Sequence, residues 1–592
     1  MKRSEGQFGT YSETRNVNYE AFHCANSNAW RDSSGGLAVD DAADKLLLQF
    51  AQRAADVGNG ARGVVDAMQA LRLLAPTLTL VQPHHAPAVR TAAFMAVQGW
   101  AARFEDVADA VACDSNVLLT LVAAVDDPDV HEAVRISALA AITAVCGGGD
   151  GSDRCAAAMQ AGVSRPALRV LDDARAPLSA RCDAARLLAL LAAAANEPGA
   201  EAASDELVAS GAARITLRAM ASHPSAAYAA ATLDLSCRFV LASAQTFRAL
   251  VETRDSARFA CAAPRASGGH QCVPELVALL DAHLQDDALT ELLHGVARLA
   301  LEPALAQRAL VAGGVVRAVA GVMGRCLPRR GAGGAVAGGP AREALEAAAS
   351  GALANLCFGP NARGGQDALA ACDGAALLVH RVDDHVGLGE AKRAPRGAAI
   401  AEPAPSTGAL GATLLALTNA TRGHDVNRQR AASCGAVLAL VAALSCRKVD
   451  GDCIALALGA LANILTPAEA AVDAGLARKL KDAAPEDVLL HAASRLPDDA
   501  DARAALEKVC NALQRVPGAT HNEQAKLHAV LRAATAATNA PATDVRPPTN
   551  VRRQSQLLAP PPGREALPRN PNYDAGRRPA QSYRVHRSTN LW

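Results

Sequence analysis

Two segments of the sequence contain residue types that bind metal ions. The segment HRVDDH places two histidines and two aspartates within residues 380–385, and Cys261, His270 and Cys272 stand close together further upstream. A structural zinc site needs four such ligands around one ion. The cysteine and histidine group has no fourth ligand nearby, and the four HRVDDH side chains are expected at a helix end that faces water. The sequence therefore predicts no metal site and no cofactor.

Motifs for phosphate binding and catalysis are equally weak. GNGARG (58–63) has the spacing of a dinucleotide-binding motif, which functions only at a strand-to-helix turn, and here it joins two helical stretches. The glycine-rich stretch 331–339 lacks the GK[ST] of a phosphate loop. We find no GxSxG motif and no cysteine with a neighbouring base. The sequence predicts a protein that is not an enzyme.

The composition favours helices. Half of the 592 residues are hydrophobic but only 3% are aromatic, so the apolar content is mostly Ala, Leu and Val. Ala and Leu are strong helix formers, whereas sheets are rich in β-branched and aromatic residues. A chain of this length suits several domains or an elongated array of repeats.

Charge and cysteine content limit the partners. The formal net charge is zero, with 59 basic and 59 acidic residues, which argues against chain-wide binding to nucleic acid or to acidic membranes. No apolar run reaches the roughly 20 residues of a membrane span, and no secretory h-region opens the sequence. The 15 cysteines are scattered singly, which is typical of buried, reduced thiols. We expect a cytoplasmic protein.

Two phrases recur along the chain. GALAN occurs at 351–355 and at 459–463, and related apolar helices recur between these and earlier positions. Leu461 lies inside this phrase and is predicted to be buried. A second phrase opens with glycine, which suits a helix corner with positive φ or a close approach, at Gly162, Gly211, Gly314, Gly374, Gly435 and Gly475. A period of about 40 to 50 residues with two or three helices per unit predicts an α-solenoid.

The order of these phrases resembles the armadillo-repeat family, with HEAT repeats as the nearest competitor. The resemblance is strong over 340–480 and moderate over 85–325, and it fades beyond 485. It implies an all-α fold, a right-handed α-solenoid of armadillo/HEAT-like repeats over 42–537, with about nine to ten units. Gly- and Pro-rich inserts at 325–340 and 385–406 are predicted to be disordered loops between a second and a third helix.

Three asparagines stand where armadillo third helices carry the asparagine of their ALxNL phrase: Asn355, Asn419 and Asn463. In that family these helices line a concave groove, and the asparagines hydrogen-bond the backbone of an extended peptide. An amide both donates and accepts, so it can pair with a peptide unit without recognising its side chains. The alternative is that each asparagine only caps or bridges neighbouring helices.

Arg298 takes the asparagine position in an earlier unit, with His294 one turn before it. A cation in the groove would favour an acidic ligand segment. The alternative is an arginine that is simply solvated.

The resemblance implies a non-catalytic scaffold that binds protein partners through the groove. Residues 72–111 are faintly similar to axonemal central-apparatus armadillo proteins, which favours a cytoskeletal or ciliary role. The alternative is an importin-α-like or other transport or regulatory adaptor. Importin-α-like grooves carry Trp one turn before each asparagine, and this chain has Gly351, Leu415 and Gly459 there.

The two ends, 1–41 and 538–592, lie outside the repeats and are predicted to be disordered tails. Residues 541–592 contain nine Arg, nine Pro and three acidic residues, and the tail also carries Tyr573, Tyr583 and Trp592. Arginine pairs with carboxylates bidentately, and aromatic side chains add apolar contact. We expect these aromatics to anchor the tail on an acidic filament surface such as tubulin. The alternative is a solvated tail.

Overall fold

The computed structural model describes most of the repeat region. The described residues are 45, 48–52, 67–148, 151–197, 200–223, 230–253, 272–282, 284–301, 304–326, 340–387, 407–466, 473–483, 486–496, 499–516 and 520–536.

Every regular element in these ranges is an α-helix, and they contain no strand. The helices run in chain order as α1 Ala67–Thr79, α2 Pro87–Arg103, α3 Glu105–Cys113, α4 Ser115–Asp126, α5 Glu132–Cys146, α6 Ser152–Gln160, α7 Ser164–Asp172, α8 Leu178–Ala194, α9 Glu201–Ala209, α10 Ala212–Ala221, α11 Ala230–Thr253, α12 Val273–Asp281, α13 Asp286–Leu301, α14 Ala304–Ala312, α15 Val315–Arg325, α16 Pro340–Leu356, α17 Ala362–Ala371, α18 Gly374–His385, α19 Thr407–Thr421, α20 Asp425–Ser433, α21 Ala436–Ser445, α22 Gly451–Leu465, α23 Ala474–Ala483, α24 Glu486–Ser494, α25 Ala500–Gln514 and α26 His521–Ala536.

The helices pack in rows that follow the repeat. The third helices are α2, α5, α8, α11, α13, α16, α19, α22 and α25, and each packs against the next. The second helices, α4, α7, α10, α12, α15, α18, α21 and α23, form another row in the same way. Short first helices such as α17 and α20 complete the units. Stacked units of this kind, each in contact only with its neighbours, make an α-solenoid, and the predicted fold class is confirmed.

The third helices are buried because neighbouring units cover them. Leu461 on α22 is 0% exposed, as predicted, and Leu188 on α8 is also 0% exposed. The few aromatic residues fill the largest interior positions, and Trp100 and Phe247 are both fully buried. Burying a side chain of this size stabilises the fold by about 1.5–3 kcal/mol.

Arginines near the start of third helices hydrogen-bond the last carbonyl groups of the preceding second helices. Arg181 is the fourth residue of α8, and its Nε donates to the carbonyl oxygen of Leu171 at 3.2 Å. Arg135 holds the same place in α5 and donates to Val125 O at 3.3 Å. The last carbonyls of a helix have no partner within it, so these side chains satisfy groups that would otherwise remain unpaired.

The glycine corners are only partly as predicted. Gly435 has φ of 91°, the left-handed region that glycine enters without strain, and Gly162, Gly211 and Gly314 also have positive φ. At the fourth corner the left-handed residue is Asp373, with φ of 56°. Gly374 is needed for a different reason, since an added Cβ would lie 2.1 Å from Leu369 Cδ1. Gly475 lies inside α23 without positive φ, so the expectation is wrong there.

The two inserts fall between a second and a third helix. Arg325 ends α15 and Pro340 begins α16, and the intervening residues 327–339 are outside the described part of the chain. Helix α18 extends through His385, so the second insert begins later than predicted, and its residues 388–406 are likewise not described. The tails 1–41 and 538–592 are outside the described residues as well. The disorder of inserts and tails remains a prediction.

None of the described helices, taken singly, has both the length and the apolar character needed to cross a membrane; two sharply bent helix pairs meet those criteria only when each pair is joined.

Candidate functional site

The predicted asparagines form a regular series of hydrogen bonds between third helices. Nδ2 of Asn419 on α19 donates to the carbonyl oxygen of Ala354 on α16 at 3.0 Å. Asn355 makes the same bond to Ala297 O on α13, at 2.9 Å, and Asn463 makes it to Thr418 O on α19, at 3.0 Å. Each acceptor directly precedes the predicted site residue of the preceding unit. The three amides therefore occupy one structural position, as the phrase predicts.

These bonds show that the bridging role is present. Asn355 and Asn419 are each 8% exposed, and Asn463 is half-buried. A primary amide can donate two hydrogen bonds and accept two, so one donated bond leaves capacity for a ligand. Binding of a peptide by these asparagines stays a prediction. We call the surface made by the third helices at these positions the third-helix face.

Glutamines of the first helices fix the ends of the helices that carry the asparagines. Nε2 of Gln366 donates to Asn419 O at 2.7 Å and to Arg422 O at 2.9 Å. Gln307 donates to Asn355 O at 3.0 Å and also to Leu356 O. Both glutamines are buried. Asn355 and Asn419 are thus each held through the side chain by the preceding unit and through the backbone by the first helix of their own unit.

One further asparagine near the end of a third helix was missed from the sequence. Asn511 lies in the last turn of α25, the third helix that follows α22, and it is half-buried. The signal was the phrase CNAL, which repeats the order of LANIL at 461–465 one unit later. It was overlooked because the surrounding residues are charged and the repeat pattern fades there.

The positions one turn before the asparagines differ in size. Leu415 is half-exposed on α19. At Gly459 an added Cβ would lie 3.4 Å from Thr418 Cγ2, an ordinary contact distance. The chain itself therefore has room for a small side chain at 459, and its absence leaves space on the third-helix face.

Arg298 and His294 lie on α13 as predicted, in a region of mixed charge. Neighbouring Arg248 pairs with Glu291 at 2.9 Å and with Glu252 at 3.0 Å. Burial, and then the charge of Arg248, lowers the pKa of His294, which is therefore neutral near pH 7. Nε of Arg298 is buried without a hydrogen-bond partner in the described ranges. The Arg298 side chain is half-exposed, and its contact with an acidic ligand stays a prediction.

Part of the HRVDDH segment lies in a buried polar cluster, so the expectation that its His and Asp side chains face water is wrong for His385, whereas His380 is exposed. Arg381 and His385 on α18 both contact Glu346 on α16, the histidine through Nε2 at 2.7 Å from Oε1. Burial, and then the charge of Arg381, lowers the pKa of His385 to about 4. Among the described residues, no group of three or more His, Cys, Asp or Glu side chains is arranged to hold a metal ion.

Some predicted positions lie outside the described residues. These are Cys261 and His270 of the second metal candidate, and the tail anchors Tyr573, Tyr583 and Trp592.

Comparison with known proteins gives structural similarity only. No protein-family model matches the sequence, and no curated protein matches it. An engineered protein solved by the Northeast Structural Genomics Consortium is 18% identical, covers 84% of this chain and 99% of its own length, and superposes with a TM-score of 0.57. A designed armadillo repeat protein in complex with the peptide (KR)4 is 16% identical and covers 48% of this chain and 99% of its own length, with a TM-score of 0.34.

At such identities the comparison concerns the fold alone. The longer match spans most of the chain, and the described helices have the order and packing of armadillo-repeat solenoids.

Proposed function

We propose that this protein is a non-catalytic interaction scaffold that binds an extended segment of a partner protein along the third-helix face. The observation that carries the proposal is the series of Asn355, Asn419 and Asn463, which repeats one amide at one structural position on three consecutive third helices. A ligand that matches such a series must itself repeat a donor and an acceptor at regular intervals. An extended polypeptide backbone has this property.

The asparagines are also fixed well enough to act as a template. Gln307 and Gln366 bind the backbone of the residues that the ligand would meet, so the amides do not need to be ordered on binding. A site whose side chains are already held loses less conformational entropy when the ligand arrives.

A matched pair of variants tests this proposal. Asn419→Ala removes the hydrogen bond from α19 to Ala354 O on α16. Ser350→Ala removes a bond between the same two helices, from Ser350 Oγ to Thr413 Oγ1 at 3.0 Å, at a fully buried place away from the face. Peptides selected from a displayed random library on the wild-type protein provide the probe.

Both variants are expected to lose similar stability, about 1 kcal/mol each. Only Asn419→Ala is expected to weaken binding of the selected peptides, by about tenfold or more per folded molecule, which corresponds to about 1.4 kcal/mol. Equal binding by both variants would show that the asparagine only bridges the helices.

The cellular setting that we propose is cytoplasmic, on the cytoskeleton or in the cilium. It is supported by the faint similarity of the first units to axonemal armadillo proteins and by the composition of the C-terminal tail, with its nine arginines and three acidic residues in 541–592. We propose that this tail contacts an acidic filament such as tubulin. An importin-α-like adaptor is less well supported, since no Trp precedes the asparagines.

Cosedimentation of the isolated tail 541–592 with microtubules, actin and RNA tests the anchoring. We expect binding to microtubules that weakens with salt but persists, because salt screens only the charge contribution. Unchanged cosedimentation and cellular position of the full chain after deletion of the tail would contradict it.

A further inference from the structure

Two buried cysteines meet at the corner between the third helix α5 and the first helix α6 of the next unit. Cys146 is the last residue of α5, and Cys155 is the fourth residue of α6. Sγ of Cys155 lies 3.9 Å from the carbonyl oxygen of Cys146, and the two thiol groups are in hydrogen-bond contact. Each residue is 2% exposed, and both are free thiols. The scaffold function proposed above makes no use of this pair.

The backbone of the corner holds the two cysteines close together. Residues 147–151 between the helices have the sequence GGGDG. Gly151 packs so closely on the end of α5 that an added Cβ would lie 2.5 Å from Cys146 O. Only a residue without a side chain fits there, and this close approach brings the start of α6 back onto the end of α5.

A buried arginine lies beside both thiols. Arg154 is 3% exposed and forms ion pairs with two residues of α3, Glu105 at 3.5 Å and Asp109 at 3.4 Å. Its Nη2 also donates to the carbonyl oxygen of Gly148, while its Nε is buried without a hydrogen-bond partner among the described residues. A positive charge next to a thiol favours the thiolate, which is the reactive form.

The two thiols differ in acidity. The hydrogen bond with Cys146 lowers the pKa of Cys155 against the effect of burial, and the charge of Arg154 lowers it further. The same hydrogen bond, together with burial, raises the pKa of Cys146. Cys155 also lies in the first turn of α6, where the helix dipole favours a negative charge. Such a pair contains one thiol that reacts first and a second that can attack the product.

A small oxidant has room beside this corner. A cavity of about 40 Å³ is lined by Gly147 and Gly148, and Gly147 directly follows Cys146 and is exposed. An added Cβ at Gly148 would lie 3.7 Å from Arg154 Nη2, so the cavity reaches the arginine that lies beside the thiols. A water molecule needs about 10–15 Å³ of such volume, and hydrogen peroxide is only slightly larger.

We propose that Cys146 and Cys155 form a reversible disulfide when the protein meets hydrogen peroxide, which makes this corner a redox modification site. The Cys155 thiolate attacks one peroxide oxygen, and the O–O bond breaks. Cys155 becomes a sulfenic acid, and the hydroxide that leaves takes up the thiol proton as water.

The second step closes the bridge. The sulfur of Cys146 attacks the sulfenic sulfur of Cys155, so the S–S bond forms as the S–O bond breaks. The departing hydroxide takes up the Cys146 proton as a second water. The two thiols have then given two electrons to one peroxide, and the new bond joins α5 covalently to α6.

The test uses the folded, fully reduced, full-length protein. It is treated with hydrogen peroxide, the peroxide is removed with catalase, and the protein is then denatured in iodoacetamide, which blocks the remaining thiols. Trypsin cuts after Arg135, Arg154 and Arg169, so the two cysteines fall in separate peptides, 136–154 and 155–169, which contain no other cysteine. Mass spectrometry measures the fraction of these peptides that is linked.

We expect the linked peptides to form about tenfold faster than any other disulfide of the chain and to separate again in dithiothreitol. Cys155→Ala is expected to leave Cys146 alkylated. Cys510→Ala, which removes another fully buried cysteine, is expected to leave the linkage unchanged.

The mapping of the wild type decides the proposal without any variant. Recovery of both cysteines in alkylated form, at a peroxide concentration that oxidises the exposed Cys113, would overturn it. Sulfinic acid at Cys155 without linked peptides would overturn it as well, because the neighbouring thiol would then have failed to react. Neither result depends on whether the third-helix face binds a partner.

Discussion

The earlier units, which contain α5 and α8, and the later units, which contain α16, α19 and α22, share the same arrangement of helices. They differ in the polar groups on their third helices. In α16, α19 and α22 each asparagine donates to the preceding third helix, so the polar groups on the face are bonded within the chain. In α5, Ala144 stands at the place of the amide, because Thr143 Oγ1 lies 3.4 Å from Asp183 O on α8 as Thr418 Oγ1 lies 3.1 Å from Leu456 O on α22. Oδ2 of the buried Asp183 has no hydrogen-bond partner among the described residues. The comparison shows that one scaffold repeats a polar bridge between third helices in one region and leaves a buried carboxyl beside a cavity of about 40 Å³, between α2, α5 and α8, in another.

The core should be equivalent in the two regions. Leu461→Ala on α22 and Leu188→Ala on α8 are each expected to cost about 2–5 kcal/mol, because both side chains are fully buried. Chemical denaturation monitored by circular dichroism measures the cost. Since repeat arrays can unfold unit by unit, each loss is expected as a local transition. A cost near zero at either site would mean that the equivalence of the two regions is wrong.

Asp183 should give the earlier region a pH dependence of its own. Burial raises the pKa of Asp183 in the folded state to about 7 from its ordinary value of 3.8, so the folded state binds more protons between these values. Its contribution to stability is present at low pH and is lost as pH rises from about 4 to about 7, by up to about 4 kcal/mol. Asp183→Asn is expected to abolish this loss.

The exposed Asp129 provides the control for that experiment. Asp129→Asn is expected to leave the stability–pH curve unchanged. If Asp183→Asn behaves like Asp129→Asn, the carboxyl of Asp183 is satisfied in solution.

His385 should give the later region the opposite dependence. Its pKa is lowered to about 4, so the neutral imidazole is favoured in the folded state, while the unfolded chain protonates near 6.5. Stability from this group is complete above about pH 6.5 and is lost as pH falls towards 4, by about 3 kcal/mol.

Replacing His385 by Gln is expected to reduce the loss of stability between pH 6.5 and 4, measured by thermal unfolding. His380→Gln is the control, because His380 is exposed on the same helix. Identical stability–pH curves for the two variants would show that the buried contact with Glu346 does not determine the loss of stability at acid pH.

The smallest expected effect comes from exchanging the feature that distinguishes the two regions. Ala144→Asn places an amide where Asn419 stands in the later unit, and it is expected to gain a hydrogen bond to a carbonyl of α2 worth about 0.5–1.5 kcal/mol. The same amide should fill the cavity that Ala144 lines. If stability stays as in the wild type, Ala144 and Asn419 are not equivalent.

Much of the fold followed from local patterns in the sequence. The helix formers, the repeat period and the GALAN phrase predicted the solenoid, the burial of Leu461 and the common position of the three asparagines. The acceptors of those asparagines could not be predicted, because they depend on how successive third helices stack. The glycine phrase was less reliable, since the backbone turn at one corner falls on Asp373 instead of Gly374.

The pocket beside Asp183 was beyond prediction for the same reason. Gln98, Ala144 and Asp183 come from three different units, and their meeting depends on packing between helices. An aspartate in an alanine-rich helix gives no sign in the sequence that it is buried without a partner. The glutamines at 307 and 366 were also overlooked, although both stand in first helices one unit apart.

The central claim is that the third-helix face binds the partner segment, and one pair of variants tests it most directly. Leu415→Trp adds bulk on that face, whereas Leu438→Trp adds the same bulk on the second helix α21, where the leucine is 51% exposed. Anisotropy titration of library-selected peptides should show binding reduced about tenfold or more by Leu415→Trp and unchanged by Leu438→Trp. Equal binding by both variants, or a loss only in Leu438→Trp, would contradict the account.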